Sequence, residues 1–318
     1  MKMICTILCA ALAISSPITP TVTPGELNIY TAQQLAGING YNGNVVICAD
    51  IEVPPGWQPI IFSGNLDGAG YTIHGLTSSL FERIDGVTIR DLTISNSQLH
   101  VKNPQFFVGV LSGVAINSFI ENVQIYDASI TTEKSFAIGG LIGYGRGITI
   151  SNTQVENIQI NSQALLISPN LPHSTGGLVG VLTGGSRVYT STASGDIWSR
   201  GCAAGFVGEI SGSSHIERSQ FSGTVYGETY VAGFAGKISD SGAPNTISDC
   251  ITLATAVVGA ENAQVRRFAN FFQHNGINGC YAYLGMVVVA DGQLQHVLPC
   301  AYGADGADLV IKNPNLKP

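Results

Sequence analysis

Charged residues are scarce in this chain. Only 11% of its 318 residues are Asp, Glu, Lys or Arg, and the formal net charge is −7. The single adjacent basic pair is Arg266-Arg267, whereas proteins that bind nucleic acid carry extended basic patches. These two deficits argue against nucleic acid as a partner.

Metal-binding and cofactor-binding motifs are also lacking. The seven cysteines include no CxxC pair, and the six histidines share no ligand spacing, so neither zinc ribbons nor redox motifs are expected. The chain has no HExxH sequence and no glycine-rich phosphate loop. We therefore expect no catalytic residue, no cofactor and no metal.

Long apolar runs are confined to the N-terminus. Residues 1–16 contain one early cation, an apolar run from Ile4 to Ile14 and then small residues, which is the layout of a secretory signal peptide. The run is too short to span a bilayer, and no later run reaches that length. The sequence therefore predicts a secreted or cell-surface protein whose mature chain has no transmembrane segment. Cleavage would leave five cysteines, an odd number, so at least one thiol would be unpaired or intermolecular: Cys48, Cys202, Cys250, Cys280 and Cys300.

What the chain has in abundance is glycine, with 39 residues, and a repeated apolar pattern. Seven segments place mostly apolar or small residues at relative positions 0, +3, +5 and +10. The segments begin at Ile89, Ile120, Ile150, Val188, Ile216, Ile247 and Ile277. The +3 and +5 side chains point to one face of a short strand, and the +10 residue begins another strand after a turn. Trp198 and Tyr226 both occupy position +10, as Val287 does in the last segment, and we expect the two aromatic side chains to pack in the core.

A glycine tetrapeptide precedes most of these segments by 10 to 14 residues. The clear copies are Gly140-Leu-Ile-Gly143, Gly177-Leu-Val-Gly180, Gly205-Phe-Val-Gly208 and Gly233-Phe-Ala-Gly236, with looser copies at 79–82, 109–112 and 267–270. The tetrapeptide supplies a third short strand closed by a flexible corner. Three strands per roughly 30 residues form one coil of a parallel β-helix.

The predicted fold is therefore all-β: a right-handed, single-stranded parallel β-helix of about seven coils. An antiparallel sandwich with similar strand spacing is the alternative. The sandwich has no reason to repeat one tetrapeptide at a near-fixed offset from one apolar pattern.

The tetrapeptides resemble the GLUG motif, a repeat of secreted and surface proteins. The N-terminal part resembles the module that often precedes such repeats, through Ile29-Tyr30-Thr31-Ala32-Gln33-Gln34-Leu35, Trp57-Gln58-Pro59-Ile60 and the run from Phe62 to Leu76. The resemblance implies a β-helix in an adhesin-like surface protein and transfers no catalytic residue. Some relatives attach these repeats to peptidase domains, but this chain lacks HExxH.

The expected organisation is one continuous solenoid. It comprises a signal peptide at 1–16, an N-terminal cap with the first coils at 17–78, GLUG-type repeats at 79–290 and a C-terminal cap or tail at 291–318. Thr31 and Gln34 have the spacing of a capping box, which predicts a short helix from Ala32 to about Ile38. That helix would cover the open edge of the first coil.

One coil, from 150 to 188, is longer than the others and contains an apolar, proline-containing segment at 162–175. Such a loop leaving a solenoid is a candidate contact site for an extracellular glycan or protein ligand. The alternative is that it folds back over the flank of the β-helix. The candidate contact residues are Leu165, Leu166, Ile167, Pro169, Leu171 and His173.

Carboxylates are the residues that would reveal an enzyme on this fold, because glycoside hydrolysis needs two of them roughly 5–10 Å apart. The acidic residues are instead scattered among the coil positions. Asp67, in the sequence Leu-Asp-Gly, is interpreted as a turn former, with a catalytic role as the alternative. We predict a non-catalytic protein that serves in adhesion, ligand binding or surface structure. The alternative is a polysaccharide-acting lyase or glycoside hydrolase.

Cys250 and Cys280 both occupy position +3, in consecutive coils. Neighbouring parallel strands lie about 4.8 Å apart. The two cysteines should therefore stack, either as a disulfide or as two free thiols.

Overall fold

The chain forms a parallel β-solenoid of about six turns. The computed structural model describes residues 25–102, 106–164, 173–239, 244–271, 276–295 and 309–311. It contains one helix, α1 (Ala32–Ala36). The strands are β1 (Leu27–Ile29), β2 (Asn44–Ile47), β3 (Ile51–Glu52), β4 (Ile60–Phe62), β5 (Asn65–Asp67), β6 (Thr72–His74), β7 (Phe81–Asp85), β8 (Thr88–Val101), β9 (Phe107–Gly109), β10 (Ser112–Ile116), β11 (Phe119–Thr132), β12 (Ala137–Gly139), β13 (Ile142–Arg146), β14 (Thr149–Ser151), β15 (Gln154–Ser162), β16 (Ser174–Gly176), β17 (Val179–Thr183), β18 (Arg187–Tyr189), β19 (Thr192–Ser199), β20 (Cys202–Ala204), β21 (Val207–Ile210), β22 (His215–Glu217), β23 (Gln220–Gly227), β24 (Tyr230–Ala232), β25 (Ala235–Ile238), β26 (Thr246–Ser248), β27 (Ile251–Gly259), β28 (Gln264–Arg266), β29 (Ala269–Phe271), β30 (Gly276–Asn278), β31 (Tyr281–Tyr283), β32 (Val287–Ala290), β33 (Gln293–Leu294) and β34 (Leu309–Ile311).

Three sheets run along the solenoid. Sheet B contains β4, β7, β10, β13, β17, β21, β25 and β29, and sheet C contains β9, β12, β16, β20, β24 and β28. Sheet A contains the other 20 strands. Of the described pairings, β32 with β33 is antiparallel and the others are parallel. The predicted parallel β-helix is confirmed, and the antiparallel sandwich is wrong.

The cross-section of the solenoid widens after its first coils. Val45 pairs with Leu66, 21 residues later, whereas Ile89 pairs with Ile120, 31 residues later. The early coils are narrow because residues 76–80 pass from sheet A to sheet B without forming a sheet C strand. Sheet C therefore contributes to six turns rather than the seven expected from the repeat count.

Inward-pointing side chains at the same position of successive coils form columns along the solenoid. In the first repeats these columns follow the predicted pattern. Ile89, Leu92, Ile94 and Leu99 lie in register with the corresponding residues of the next segment, and all four are at most 1% exposed. The +2 residues between them, including Asp91 and Asn122, have positive φ angles. Asn and Asp tolerate that left-handed conformation better than most residues, so this column forms the corner of each coil.

The predicted core positions of Trp198 and Tyr226 are wrong by one residue. Ile197 and Val225 are the buried residues that continue the column from Ile160, and Tyr226 is 38% exposed. The corner here is one residue shorter, because Ser194 alone stands opposite Glu156 and Asn157 before Gly195 (φ 141°) pairs with Ile158. A side chain rarely adopts that φ, so the glycine permits the shorter turn.

A second register error lies at the C-terminal end. The expected +10 residue Val287 is 46% exposed, and Val288 is the buried partner of Val257. The chain makes a turn in which the Met286 N–H donates to the Tyr283 carbonyl oxygen. That turn adds one residue between β31 and β32.

The first position of each clear tetrapeptide must be glycine because the structure leaves no space for a side chain there. A Cβ atom on Gly140, Gly177, Gly205 or Gly233 would overlap the carbonyl oxygen of the equivalent residue in the next coil. None of these four glycines has a positive φ. The large apolar residue that follows packs in the core, where the rings of Phe206, Phe234 and Phe268 stack 4.7 and 4.8 Å apart.

The second glycine of each tetrapeptide lies against sheet C. A Cβ atom on Gly180 would lie 2.6 Å from the Ile138 nitrogen, and one on Gly208 would lie 2.7 Å from the Thr175 nitrogen. The GLUG pattern thus allows neighbouring coils, and sheets B and C, to approach closely.

Helix α1 begins where the capping box predicts and ends two residues earlier than expected. The Thr31 hydroxyl accepts from the Gln34 N–H at 3.3 Å, and the Gln34 side-chain oxygen accepts from the Tyr30 N–H at 2.8 Å. Leu35 and Ile38 are fully buried in the common core. The role of the helix as a cap stays a prediction. Among the described residues, no helix is long and apolar enough to cross a membrane.

Candidate functional site

The widening of the solenoid creates a ledge, which we define as residues Phe106–Gly109. It includes β9, the end strand of sheet C. Among the described residues, no strand pairs with the edge of β9 that faces the preceding coil. Sheet B continues for two more strands in that direction, β7 and β4. The ledge therefore projects over the outer face of the narrow section.

A cleft of about 400 Å³ lies beneath the ledge. Its lining residues are Gln58, Pro59, Ser79, Glu82, Phe106, Phe107, Gly113 and Val114. Phe106 is 57% exposed, an unusual state for a large aromatic side chain. The Phe107 ring lies 5.0 Å from that of Tyr144 on the next coil. Two phenylalanine side chains, Phe106 and Phe107, thus line the cleft.

The charge in this cleft comes from one carboxylate. Glu82 is exposed and makes no ion pair with any described residue, whereas the adjacent Arg83 pairs with Asp85 at 2.6 Å. Among the residues that line the cleft, Glu82 is the sole acidic group. The site can therefore attract a cationic or hydrogen-bond-donating group, but it does not offer the two carboxylates of a glycoside hydrolase.

An aromatic column connects the ledge to the base of the long loop. The Phe106 ring stacks on Phe136 at 5.2 Å, and Phe136 meets the ring of His173 edge-on at 4.9 Å. His173 is only 6% exposed, and neither ring nitrogen has a hydrogen-bond partner among the described residues. Burial lowers the pKa of His173. Of the six predicted contact residues, His173 is thus placed in this column; Leu165, Leu166, Ile167, Pro169 and Leu171 lie outside the described residues.

Sequence reasoning missed the residues of the ledge. The signals were present: two adjacent phenylalanines before a loose tetrapeptide copy, and only four positions from Leu76 to Leu80. That short connection cannot make the sheet C strand that the longer coils make.

A second cleft, of about 490 Å³, lies on sheet A and is lined largely by charged and polar groups. Two of its charges neutralise each other, since Arg218 and Glu217 form an ion pair. Another of its polar groups is also engaged, because His215 Nδ1 lies 2.6 Å from the Thr246 hydroxyl. The cleft beneath the ledge exposes more apolar surface than this second cleft does, and we therefore regard it as the better candidate for a binding site.

The carboxylates of Asp67 and Asp91 are engaged in contacts within and between coils. Asp67 accepts from the Ala69 N–H at 2.8 Å and pairs with Arg90 at 2.6 Å. Asp91 accepts from the Asn122 side chain on the next coil at 2.6 Å. Within the described ranges, no group of three His, Cys, Asp or Glu side chains is arranged to hold a metal ion.

Cys250 and Cys280 are fully buried on neighbouring coils. The Tyr281 N–H donates to the Cys250 carbonyl oxygen at 2.8 Å, so the two residues occupy matching positions. Neither forms a disulfide with another described cysteine. Burial and the adjacent Cys280 raise the pKa of Cys250 well above its ordinary value.

The described residues form a parallel β-solenoid in which a glycine tetrapeptide recurs from coil to coil. The family model described as the GLUG motif matches residues 172–197. The chain therefore carries a GLUG motif, as its sequence suggested.

Comparison with curated proteins finds similarity to part of much longer chains. The chain is 30% identical over 159 residues to an immunoglobulin A1 protease of Streptococcus sanguinis, covering 46% of this chain and 8% of that protein. It is 31% identical over 130 residues to the zinc metalloprotease ZmpC of Streptococcus pneumoniae serotype 4, covering 39% of this chain and 6% of that protein. The chain therefore spans less than a tenth of the length of these relatives.

Two solved structures share the fold. A Bacteroides ovatus protein provisionally named an immunoglobulin A1 protease superimposes with a TM-score of 0.56 and 16% identity, covering 90% of this chain and 83% of that one. A structure named IgA1 protease gives a TM-score of 0.60 and 18% identity, covering 81% of this chain and 21% of that one. At such identities the likeness concerns the fold alone.

Proposed function

We propose that this chain is a secreted or cell-surface, non-catalytic β-solenoid that binds an extracellular ligand in the cleft beneath the ledge. The observation that carries the proposal is the exposure of Phe106 above a ligand-sized cleft. Exposed aromatic groups at the mouth of a concave site are typical of binding surfaces. A rigid solenoid suits this role because its coils hold the cleft walls in fixed positions.

The chemistry of the cleft supports binding without catalysis. Glycan cleavage by the usual route needs a second carboxylate beside the first, and Glu82 has none among the residues that line the cleft. The relatives named as proteases share 6–8% of their length with this chain. Their proteolytic activity does not follow from so short a match.

The proposed location follows from the N-terminal sequence, and the names of the relatives agree with it. Residues 1–16 would direct export, and residues 17–78 would then form the cap and the narrow coils. Residues 79–290 would form the GLUG-type repeats and supply the ledge, the cleft would lie between the ledge and the narrow coils, and 291–318 would close the C-terminal end. A protein exported in this way would meet host or environmental proteins and glycans.

The test is a binding survey of the chain from residue 17 onward. It would use a glycan array and a panel of extracellular proteins that includes immunoglobulin A1. Any ligand found should lose about fivefold or more in affinity with Phe106→Ser, because removing a large contact residue of this kind costs about 1–3 kcal/mol. Phe119→Ser is the matched control, since Phe119 is 58% exposed on sheet A and does not line the cleft.

Two results would overturn the proposal. One is a ligand whose affinity is the same for the Phe106 and Phe119 variants. The other is cleavage of an arrayed glycan or protein by the wild-type chain, which would favour the polysaccharide-acting enzyme or a protease instead.

A further inference from the structure

We propose that the free edge of β9 binds an extended peptide as an added β-strand. The peptide would insert apolar side chains into the cleft and place a basic side chain near Glu82. This inference rests on the proposed function and specifies the ligand as polypeptide.

The position below β9 is a missing strand of the solenoid. Each of the five later sheet C strands pairs with the sheet C strand of the coil before it. β9 has no such partner among the described residues, because residues 76–80 take the short path to sheet B. Pairing with the earlier coil resumes directly after β9, where the Leu80 N–H donates to the Val110 carbonyl oxygen at 2.9 Å. The gap is therefore bounded at the end of β9 that leads into Val110.

The backbone of β9 presents hydrogen-bonding groups to this gap. The Ala137 N–H donates to the Phe106 carbonyl oxygen at 3.1 Å, so that carbonyl points toward the next coil. Backbone groups alternate sides along a β-strand, and those of Phe107 and Gly109 therefore point toward the gap. An incoming strand could pair with them, as peptides do when they extend an exposed sheet edge.

The surroundings of the gap favour a peptide with both apolar and basic residues. Alternate side chains of an added strand would face the cleft, which is lined by Phe107 of sheet C and Val114 of sheet B. Glu82 lies in the same cleft without an ion-pair partner among the described residues. A Lys or Arg side chain on the peptide would complement that carboxylate.

A peptide is favoured over a glycan because the backbone edge is part of the site. A sugar could stack on Phe106, but it has no repeating amide groups that match the spacing of Phe107 and Gly109. Strand addition uses the aromatic face and the backbone edge together.

The first probe is a fluorescent synthetic peptide, Lys-Ser-Phe-Ala-Ile-Gly, which copies residues 134–139. These residues already neighbour β9 on its opposite side, since Phe107 pairs with Ala137. The peptide should bind the wild-type chain in a fluorescence anisotropy titration at up to millimolar concentration. A version with alternate backbone nitrogens methylated should bind about tenfold or more weakly, because it cannot donate to the β9 edge.

Two protein variants sharpen the test. Glu82→Gln should weaken the affinity for the peptide by about two- to fivefold at low salt and by less at high salt. Phe119→Ser should leave binding unchanged. Hydrogen exchange at the backbone amides of Phe107 and Gly109 should slow when peptide is added. Stacking on the aromatic rings alone would not slow it.

The outcomes separate the two proposals. Absence of peptide binding, or equal binding of the methylated peptide, would overturn strand addition. If a glycan then bound in a Phe106-dependent manner, the proposed function would survive. If no ligand depended on Phe106, both proposals would fail.

Discussion

A Cβ atom on Gly205 would overlap the aromatic ring of Phe221, which lies on sheet A of the same coil. It would also overlap the carbonyl oxygen of Gly233 in the next coil. Phe221 is fully buried, and the Gly233 oxygen belongs to the backbone, so neither neighbour can move cheaply. The space at Gly205 is therefore part of the packing between sheets and coils.

We predict that Gly205→Val destabilises the protein by about 3 kcal/mol or more, because overpacking a rigid core forces backbone shifts. Chemical denaturation of purified protein would measure the loss. Gly276→Ala is the control: its Cβ atom would meet its nearest neighbour, Thr246 Cγ2, at an ordinary 3.5 Å. Equal stability of the Gly205 variant and the wild type would refute the close-approach explanation.

The revised register predicts different roles for two adjacent residues. Ile197→Ala should cost about 2–5 kcal/mol, because Ile197 is fully buried in the core column. Trp198→Ala should cost about 1 kcal/mol or less, because Trp198 lies on the outer side of the same strand beside Tyr226. Urea denaturation of the two variants measures both values. The reverse order would restore the original alignment, with Trp198 inward.

The sequence was sufficient for the fold because the apolar columns and the tetrapeptides repeat together. It did not locate the short corner at Gly195, because the repeat pattern places the same number of residues between positions +5 and +10 in every coil. A difference of one residue is enough to change which side chain of the next strand faces inward. The ledge was missed for a related reason. It depends on a strand that the first coil does not make, and an apolar pattern records the strands that are present.

His173 should make stability depend on pH. Burial lowers its pKa below the ordinary value near 6.5, so the folded state binds the proton less readily than the unfolded state. The wild type should therefore lose stability relative to His173→Phe as pH falls through about 6.5, and the loss should be complete below the folded-state pKa. Melting both proteins between pH 8 and pH 5 tests this, and parallel curves would contradict it.

The four described cysteines should differ in reactivity. Cys202, Cys250 and Cys280 are buried, and burial raises the pKa of Cys202 and of Cys250, whereas Cys48 is partly exposed. Iodoacetamide should modify Cys48 in the native protein and the other three about a hundredfold more slowly, until denaturant is added. Peptide mass mapping reports each site. A peptide cross-linked through Cys250 and Cys280 would instead establish the disulfide.

Removal of residues 17–40 should expose the first coil. The deletion takes away β1, which pairs with β2, and also α1 with Leu35 and the following Ile38, which are fully buried in the core. The uncovered apolar end and the strand edge of β2 should promote association between copies. Size-exclusion chromatography with light scattering would detect it. A monodisperse truncated protein would show that the helix is dispensable as a cap.

The parallel ladders also bear on how the chain reaches its folded state. Strands paired in parallel lie within a limited distance of each other in sequence, from the 18 residues between Leu27 and Val45 to the 38 between Ile150 and Val188. Each coil therefore needs only the coil before it as a template. A chain emerging from a ribosome or a translocation channel could add coils one at a time, beginning with the narrow section. Loop closure would be repeated at nearly constant entropic cost, without waiting for a distant partner.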